Sequence, residues 1–199
     1  MTSAQLTPPQ LVLGSTSRYR AELLRRLCPD FEQCAPGTDE TPREGELPAA
    51  RALRLAIAKA AAAASGLSNA LVIGSDQVAE LDGLILDKPG TVESACAQLS
   101  ASSGREVQFH TALCLFDTRD GRQRTYTDRT SVHFRQLHAV EIARYIKREQ
   151  PLDCAGSFKC EGLGISLFES IDSRDPSALI GLPLIALARL LRECGITLP

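Results

Sequence analysis

Two hairpin signals in the middle of the chain constrain its fold most. Asp82-Gly83 separates the apolar run Val78–Leu81 from Leu84–Leu86, and both positions of such a two-residue turn require positive φ. A second acidic-glycine pair, Asp120-Gly121, lies between two longer strand patterns. Those longer patterns cover Val107–Phe116 and Tyr126–Phe134. Hairpins join antiparallel strands, so part of the sheet is predicted to be antiparallel.

Strand and helix patterns alternate before the first hairpin. Leu11–Gly14 is a short apolar run that leads through Ser15-Thr16-Ser17 into a helical pattern. Pro48–Ala64 has apolar residues on one stripe and is predicted to be a helix. Leu71–Gly74 is a second buried-type strand, which we expect to stop at Ser75-Asp76-Gln77. Together with the hairpins, these patterns predict a mixed α/β fold.

The remaining patterns complete one domain. Helices are predicted over residues 91–99, 140–148 and 182–192, with Thr91 as the N-cap of the first, and residues 162–168 are predicted to be extended. No internal repeat, low-complexity linker or shift in composition divides the chain. We therefore predict a flexible N-terminal segment over residues 1–10, followed by a single domain with a cleft over residues 11–199.

The composition is that of an ordinary globular protein. The 199 residues are 44% hydrophobic and 23% charged, which argues against disordered, collagen-like and disulfide-scaffold classes. The 22 basic and 24 acidic residues are interspersed, so they form no basic footprint for nucleic acid. The apolar stretch Ala178–Leu191 contains Pro183 and Arg189 and is shorter than the roughly 20 residues that span a bilayer. We expect neither a nucleic-acid partner nor membrane insertion.

The cysteines favour a reducing compartment. The seven cysteines are odd in number and contain no CxxC pair, which indicates neither a disulfide framework nor a zinc ribbon. The first ten residues contain Pro8-Pro9 and no basic-then-apolar signal. We expect a cytoplasmic protein in which Cys154 and Cys160 are buried small residues rather than reactive thiols.

The loop after the first strand is one candidate site. Gly14–Arg20 passes from a strand into a helix N-terminus, where free N–H groups attract anions, and Arg18 and Arg20 add positive charge. The segment matches neither the Walker A nor the dinucleotide-binding glycine pattern. The spacing equally allows a simpler role, in which Ser15 or Ser17 only caps the helix.

The polar cluster after the second strand is the other candidate site. Ligands bind at the carboxyl ends of strands in α/β sheets, so Asp76 is well placed for catalysis or for metal binding. An Asx turn that closes the strand is the alternative. Several more charged residues lie beside Gly, Pro or apolar runs and are consistent with a converging polar cleft. They are Asp39-Glu40, Lys59, Lys88 and Lys159-Cys160-Glu161.

Motifs in a fixed order cover nearly the whole chain. The first five are Leu13-Gly14-Ser15-Thr16-Ser17, Asp39-Glu40-Thr41, Ala58-Lys59-Ala60, Ile73-Gly74-Ser75-Asp76-Gln77 and Asp87-Lys88-Pro89. The later ones are Phe134-Arg135-Gln136-Leu137, Glu141-Ile142, Tyr145, Cys154-Ala155-Gly156-Ser157-Phe158 and Ile180-Gly181-Leu182-Pro183-Leu184. In this order they resemble the Maf family of nucleotide pyrophosphatases. Gln77, Cys154–Phe158 and Lys159–Gly162 resemble the branch of that family that acts on 7-methyl-GTP.

The resemblance implies a fold and a reaction. The fold would be a mixed, strongly bent sheet with flanking helices and two lobes around a deep cleft, commonly in a homodimer. The reaction would be hydrolysis of a nucleoside triphosphate between the α and β phosphorus atoms, with Mg²⁺ or Mn²⁺ as the divalent cation. The implied catalytic residues are Asp76, Glu40, Lys59 and Lys88, with Glu40 and Asp76 as metal ligands. The implied substrate-binding residues are Ser15, Tyr19, Arg20, Gln77, Lys159 and Glu161.

Two positions depart from the family pattern, and two other functions compete. Family members usually have proline at the position of Arg18 and often glycine at the position of Asp87. One competing function is a nucleotide-binding regulator of septum formation that does not turn over its ligand. The other is a pyrophosphatase for deaminated purine triphosphates, ITP or XTP.

Overall fold

Seven strands and five helices form the part of the chain that the computed structural model describes, residues 8–199. The strands are β1 (Gln10–Gly14), β2 (Glu32–Cys34), β3 (Ala70–Leu81), β4 (Leu84–Leu86), β5 (Glu106–Asp117), β6 (Arg122–Phe134) and β7 (Phe168–Asp172). The helices are α1 (Arg18–Arg25), α2 (Pro48–Ala63), α3 (Val92–Ser102), α4 (Ala139–Glu149) and α5 (Leu184–Glu193). Most of the predicted N-terminal segment, residues 1–10, lies outside the described residues, and Gln10 already belongs to β1.

The strands form one mixed sheet, which confirms the predicted α/β class. The order is β2-β1-β3-β5-β6-β7, with β4 paired to β3. Strand β1 runs parallel to β2 and β3, whereas the other pairs are antiparallel. Both predicted hairpins are present. In the first, Leu81 pairs with Leu84, and Asp82 and Gly83 have φ values of 50° and 81°.

Local signals place most helices correctly, but one segment was predicted wrongly. The Thr91 side chain accepts a hydrogen bond from the Ser94 backbone N–H and begins α3, as expected. Residues 162–168 are not extended, because Leu163–Leu167 form a short 3₁₀ turn before β7 begins at Phe168. The turn closes tightly, since the Gly164 N–H donates to the Lys159 carbonyl and the Leu163 N–H donates to the Glu149 carboxylate.

The two largest of the four hydrophobic clusters in the described residues share the long strands β3 and β5. Leu71 and Ile73 of β3 pack with Leu113 and Leu115 of β5, under α1 and α5. The opposite halves of both strands enter a second core with α3 and α4. That core includes Ala79, Leu81, Val107, Phe109, Leu99, Ile142 and Ile146. The midpoints of β3 and β5 therefore lie between two packed lobes.

A close contact between β3 and α2 fixes the geometry at this midpoint. A Cβ atom at Gly74 would lie 2.2 Å from the Ala56 carbonyl oxygen and 2.5 Å from the Ala60 nitrogen. Only glycine allows the strand to approach the helix backbone this closely. Side chains two residues apart on a strand share a face, so Asp76 is directed at α2 like Gly74.

Among the described residues, no helix is both long and apolar enough to cross a bilayer.

Candidate active site

A cavity of about 810 Å³ opens where the two cores meet. Its walls come from the β1–α1 loop, the segment after β2, the inner face of α2, the middle of β3, the β4–α3 loop, residues 153–161 and residues 179–181. Of the ten residues predicted to form the site, Lys159 does not line this cavity and the other nine do. They are Ser15, Tyr19, Arg20, Glu40, Lys59, Asp76, Gln77, Lys88 and Glu161.

Asp76 lies in the middle of a strand, so the prediction that β3 stops at Ser75-Asp76-Gln77 was wrong. Strand β3 continues to Leu81 because its second half pairs with β5, where Asp76 is opposite Ala112. The parallel partner β1 ends at Gly14, and its last pair with β3 joins Leu13 to Ile73. Asp76 therefore lies just past the carboxyl end of β1, which opens the cavity there. An Asx turn at this position is excluded.

Lys59 joins two carboxylates at the cavity wall. Its Nζ lies 2.6 Å from Asp76 Oδ1 and 2.7 Å from Glu40 Oε1. The side chains of Lys59 and Asp76 are only 8% and 11% exposed, whereas that of Glu40 is 54% exposed. The buried pair is thus fixed in position, and Glu40 extends the cluster toward solvent. Two carboxylates that share one ammonium group leave oxygen atoms free for a water molecule or a cation.

Positive charges keep Glu40 ionised. Burial raises the pKa of Glu40, but the hydrogen bond from Lys59 and the charges of Lys59, Lys88 and Arg20 lower it more, so its pKa lies below the ordinary value. Its carboxylate is therefore charged at neutral pH.

Lys88 itself is exposed at the cavity and makes no hydrogen bond or ion pair with the residues that the structure describes.

Arg20 ties the first candidate loop to the turn over residues 178–181. Its Nε donates to the Gly181 carbonyl at 2.9 Å, and its Nη1 donates to Ser15 Oγ at 3.3 Å. Burial lowers the pKa of Arg20 from its ordinary value, and the carboxylates of Asp76 and Glu40 oppose that shift. Helix capping falls to Ser17, whose side chain accepts from the Arg20 N–H. The capping interpretation is therefore confirmed for Ser17. Ser15 Oγ accepts from Arg20 and from the Ser17 N–H, and anion binding by the loop stays a prediction.

Tyr19 presents an aromatic ring to the cavity beside an unexpected cation. The Arg18 Nη2 donates to the Tyr19 hydroxyl at 2.8 Å, and the guanidinium carbon lies 4.7 Å from the centre of the ring. Arg18 thus occupies one face of the ring, and a base could stack only on the other. This is how the structure uses the arginine found where the family usually has proline.

Gln77 is held by the protein through its amide nitrogen. Its Nε2 donates to Thr111 Oγ1 and to the carbonyls of Ala178 and Leu179 at 2.9–3.1 Å. Only its carbonyl oxygen remains to meet a ligand. Ser75, on the same face of β3, donates to the Gly181 carbonyl at 2.9 Å. This face of the strand therefore fixes the turn over residues 178–181.

Residues 153–161 supply another wall of the cavity. Phe158 packs edge-to-face against Phe109, Phe134 and Phe168, which holds the segment on the second core. Glu161 is exposed at the cavity, and within residues 8–199 its carboxylate has one hydrogen-bond partner, the neighbouring Cys160 thiol at 3.5 Å. Its oxygens are therefore free to accept hydrogen bonds from a ligand.

The cysteines of this wall are unsuited to nucleophilic chemistry. Burial raises the pKa of the Cys154 and Cys160 thiols to about 12, so both are neutral at physiological pH. Both side chains are half-buried at the cavity rather than fully buried as expected, and Cys160 packs against the second core.

Lys159 is not brought into the cavity. Its Nζ donates to the carbonyls of Glu149 and Gln150 at 2.9 and 3.3 Å, at the C-terminal end of α4. A cation satisfies the free carbonyls there and complements the helix dipole. The side chain therefore stabilises a helix end, and its predicted contact with substrate has no support in the geometry.

Arg51 is a cavity residue that the sequence motifs did not indicate. Its side chain is 11% exposed, and its Nη2 lies 3.2 Å from Asp87 Oδ1. Asp87, at the other position that departs from the family pattern, therefore pairs with Arg51. The i, i+4, i+8 spacing of Arg51, Leu55 and Lys59 was the available signal, because it places all three on one face of α2.

Comparisons with known proteins agree with this architecture. The family model described as Maf-like protein matches residues 10–194. A protein of Xanthomonas oryzae pv. oryzae named 7-methyl-GTP pyrophosphatase is 59% identical over 191 residues, which cover 96% of this chain and 100% of that protein. A protein of the same name from Burkholderia thailandensis is 57% identical over 190 residues, or 94% of this chain and 88% of that protein. The chain therefore belongs to the Maf family.

Proposed function

We propose that this protein hydrolyses 7-methyl-GTP to 7-methyl-GMP and diphosphate, and so clears a modified nucleotide. The observation that supports this most is the buried Lys59–Asp76 pair, joined by Glu40, at the wall of a cavity large enough for a nucleotide. The names of the relatives at 57–59% identity point to the same substrate.

The side chains around Asp76 suit attack of water on the α phosphorus. Asp76 would accept the proton of the attacking water, whose oxygen forms the new bond to the α phosphorus. The bond from that phosphorus to the bridging oxygen breaks, and diphosphate leaves with the bridging oxygen. Lys59 and Lys88 would neutralise charge on the phosphates, and Arg20 would hold the β1–α1 loop against them.

The donor set fits a hard divalent cation. Mg²⁺ is usually bound by one or two carboxylates together with phosphate oxygens and waters, and Glu40 and Asp76 offer such carboxylates. In the described part of the chain, no group of three or more His, Cys, Asp or Glu side chains could hold a metal ion. Binding of Mg²⁺ or Mn²⁺ would therefore depend on the substrate. The ion would neutralise the charge that develops on the phosphates.

Base selection would come from Tyr19, Gln77 and Glu161. Methylation at N7 gives the guanine ring a positive charge, which strengthens stacking on the free face of Tyr19. The Glu161 carboxylate can accept from both N1–H and the 2-amino group of guanine, a donor pair that uracil and thymine lack. The free carbonyl oxygen of Gln77 would contact the base or the ribose.

A substrate panel tests the function against its two competitors. Purified protein with Mg²⁺ is supplied with 7-methyl-GTP, GTP, UTP, ITP and XTP, and released diphosphate is measured. We expect the highest kcat/KM for 7-methyl-GTP. Preference for ITP or XTP would identify the deaminated-purine enzyme, and tight binding without turnover would identify the regulator.

Glu161→Ala is expected to lower kcat/KM for 7-methyl-GTP by about 10- to 100-fold, the effect of losing a hydrogen bond to a charged group. The loss for UTP should be much smaller, since UTP does not present the same donor pair. Glu169→Ala, an exposed glutamate outside the cavity, is the matched control. Equal losses for 7-methyl-GTP, GTP and UTP would assign Glu161 to the phosphates or the metal instead.

The remaining proposals concern the setting in which the protein works. The family resemblance supports a homodimer, which light scattering on the purified chain would test. The odd number and the spacing of the cysteines support action in a reducing cytoplasm.

A further inference from the structure

Arg51 lies on the cavity wall away from the reacting cluster. It precedes Lys59 by eight residues of α2, or about 12 Å along the helix axis. Through Asp87 it contacts the β4–α3 loop, the same loop that carries Lys88. Asp76, Glu40, Lys88 and Arg51 all line the same cavity. Charged groups therefore extend along its wall from the reacting cluster to Arg51.

The Arg51 guanidinium has hydrogen-bonding capacity that the protein does not use. Its Nε is buried and has no acceptor among the described residues. Its only ion pair there is the single contact from Nη2 to Asp87, whose side chain is 68% exposed. A buried donor without an acceptor is unfavourable, and guanidinium groups bind phosphate oxygens through paired N–H donors. An anion in the cavity would supply the missing acceptors.

The other cations of the cavity already have partners within the protein. Lys59 contacts two carboxylates, and Arg20 donates to Gly181 and Ser15. Arg18 is stacked on Tyr19, beside the wall proposed to take the base. The cations left to meet the highly charged end of a triphosphate are Lys88 and Arg51.

We propose that Arg51, with Lys88, binds the β and γ phosphates of the substrate and hence the diphosphate product, while Asp87 holds its guanidinium in place. The inference rests on the proposed function. It adds a residue that contacts the leaving group and makes no contact with the base or the α phosphorus.

Product inhibition tests this assignment in the full-length protein with Mg²⁺. Inhibition constants are measured for inorganic pyrophosphate and for 7-methyl-GMP. Arg51→Gln should raise the inhibition constant of pyrophosphate by about 10- to 100-fold and leave that of 7-methyl-GMP within about twofold. Arg51→Lys, which keeps the charge but loses the planar fork, should give a smaller rise for pyrophosphate alone.

Controls distinguish a specific loss of pyrophosphate binding from a general effect of removing a positive charge and from loss of folding. Arg189→Gln removes an arginine of the same charge from an exposed ion pair on α5 and should change neither constant. Melting curves show which variants are folded, and Arg51→Lys provides the comparison if Arg51→Gln does not fold. An unchanged pyrophosphate constant, or an equal rise for both products, overturns the assignment.

A different experimental result would overturn the proposed function. If the wild-type protein does not hydrolyse 7-methyl-GTP, that function is wrong. The effect of Arg51→Gln on pyrophosphate binding can still be measured by calorimetry, where an unchanged dissociation constant would overturn the Arg51 assignment as well.

Discussion

Asp76→Asn is expected to lower kcat for 7-methyl-GTP by about 10³-fold or more. Loss of a general base alone typically costs 10²–10⁴-fold, and loss of a carboxylate that would bind the cation adds to it. Asparagine keeps the shape of the side chain and its place opposite Ala112, but its amide cannot take a proton from water. Steady-state kinetics with diphosphate detection measures the change.

The same variant should remain folded. Lys59 keeps Glu40 as a partner at 2.7 Å, so no buried cation is left alone. Asp128→Asn is a useful control, because Asp128 is also buried in a strand but accepts from Thr130 and Tyr126 outside the cavity. We expect that control to lower the melting temperature and to leave kcat close to the wild-type value. Wild-type turnover by a folded Asp76→Asn protein would remove Asp76 from the chemistry.

Local chemistry made the hairpins and helix starts predictable. The Asp82-Gly83 turn and the Thr91 cap depend on residues within a few positions of each other, so their sequence patterns suffice. The length of β3 did not follow from such a pattern. A polar cluster such as Ser75-Asp76-Gln77 resembles the start of a loop, and what keeps it in a strand is pairing with β5 more than 30 residues later.

Side-chain partners were predictable only in part. The motifs indicated Lys59 and Asp76 separately, but their contact depends on the absence of a Cβ atom at Gly74, which lets α2 approach β3. Lys159 shows the opposite case, because nothing near it in sequence indicates that its ammonium meets the end of α4. For Arg51, a basic residue on an amphipathic helix is normally solvated, and only the tertiary fold covers it.

The position of the site follows from the shared strands. Each of the two large cores contains one half of β3 and one half of β5. The polar side chains at the midpoints of these strands therefore lie between the two cores. Thr111 and Ser75 are fully buried there, and both donate to carbonyls of the 178–181 turn. Polar groups in this seam are thus satisfied by hydrogen bonds, while Asp76 faces the cavity with Lys59.

Lys59→Met is the second substitution with a large expected effect. We expect kcat/KM for 7-methyl-GTP to fall by about 10²–10³-fold, the range seen when one donor to a developing charge is removed. The free energy of unfolding should fall by about 1–3 kcal/mol, less than for a fully enclosed pair because Asp76 lines the open cavity, where water can solvate its carboxylate. Lys147→Met, an exposed lysine on α4, is the control and should change neither quantity.

The pH profile gives this variant a distinctive signature. In the wild-type protein the pKa of Glu40 is held low, with the hydrogen bond from Lys59 as the main stabilising cause. Without Lys59, two neighbouring carboxylates repel each other and protonation becomes easier, so the pKa of Glu40 should rise. Because the reaction needs the ionised carboxylates, the acidic limb of the activity profile should move to higher pH. Loss of rate with an unshifted acidic limb would mean that Lys59 binds phosphate but does not hold Glu40 ionised.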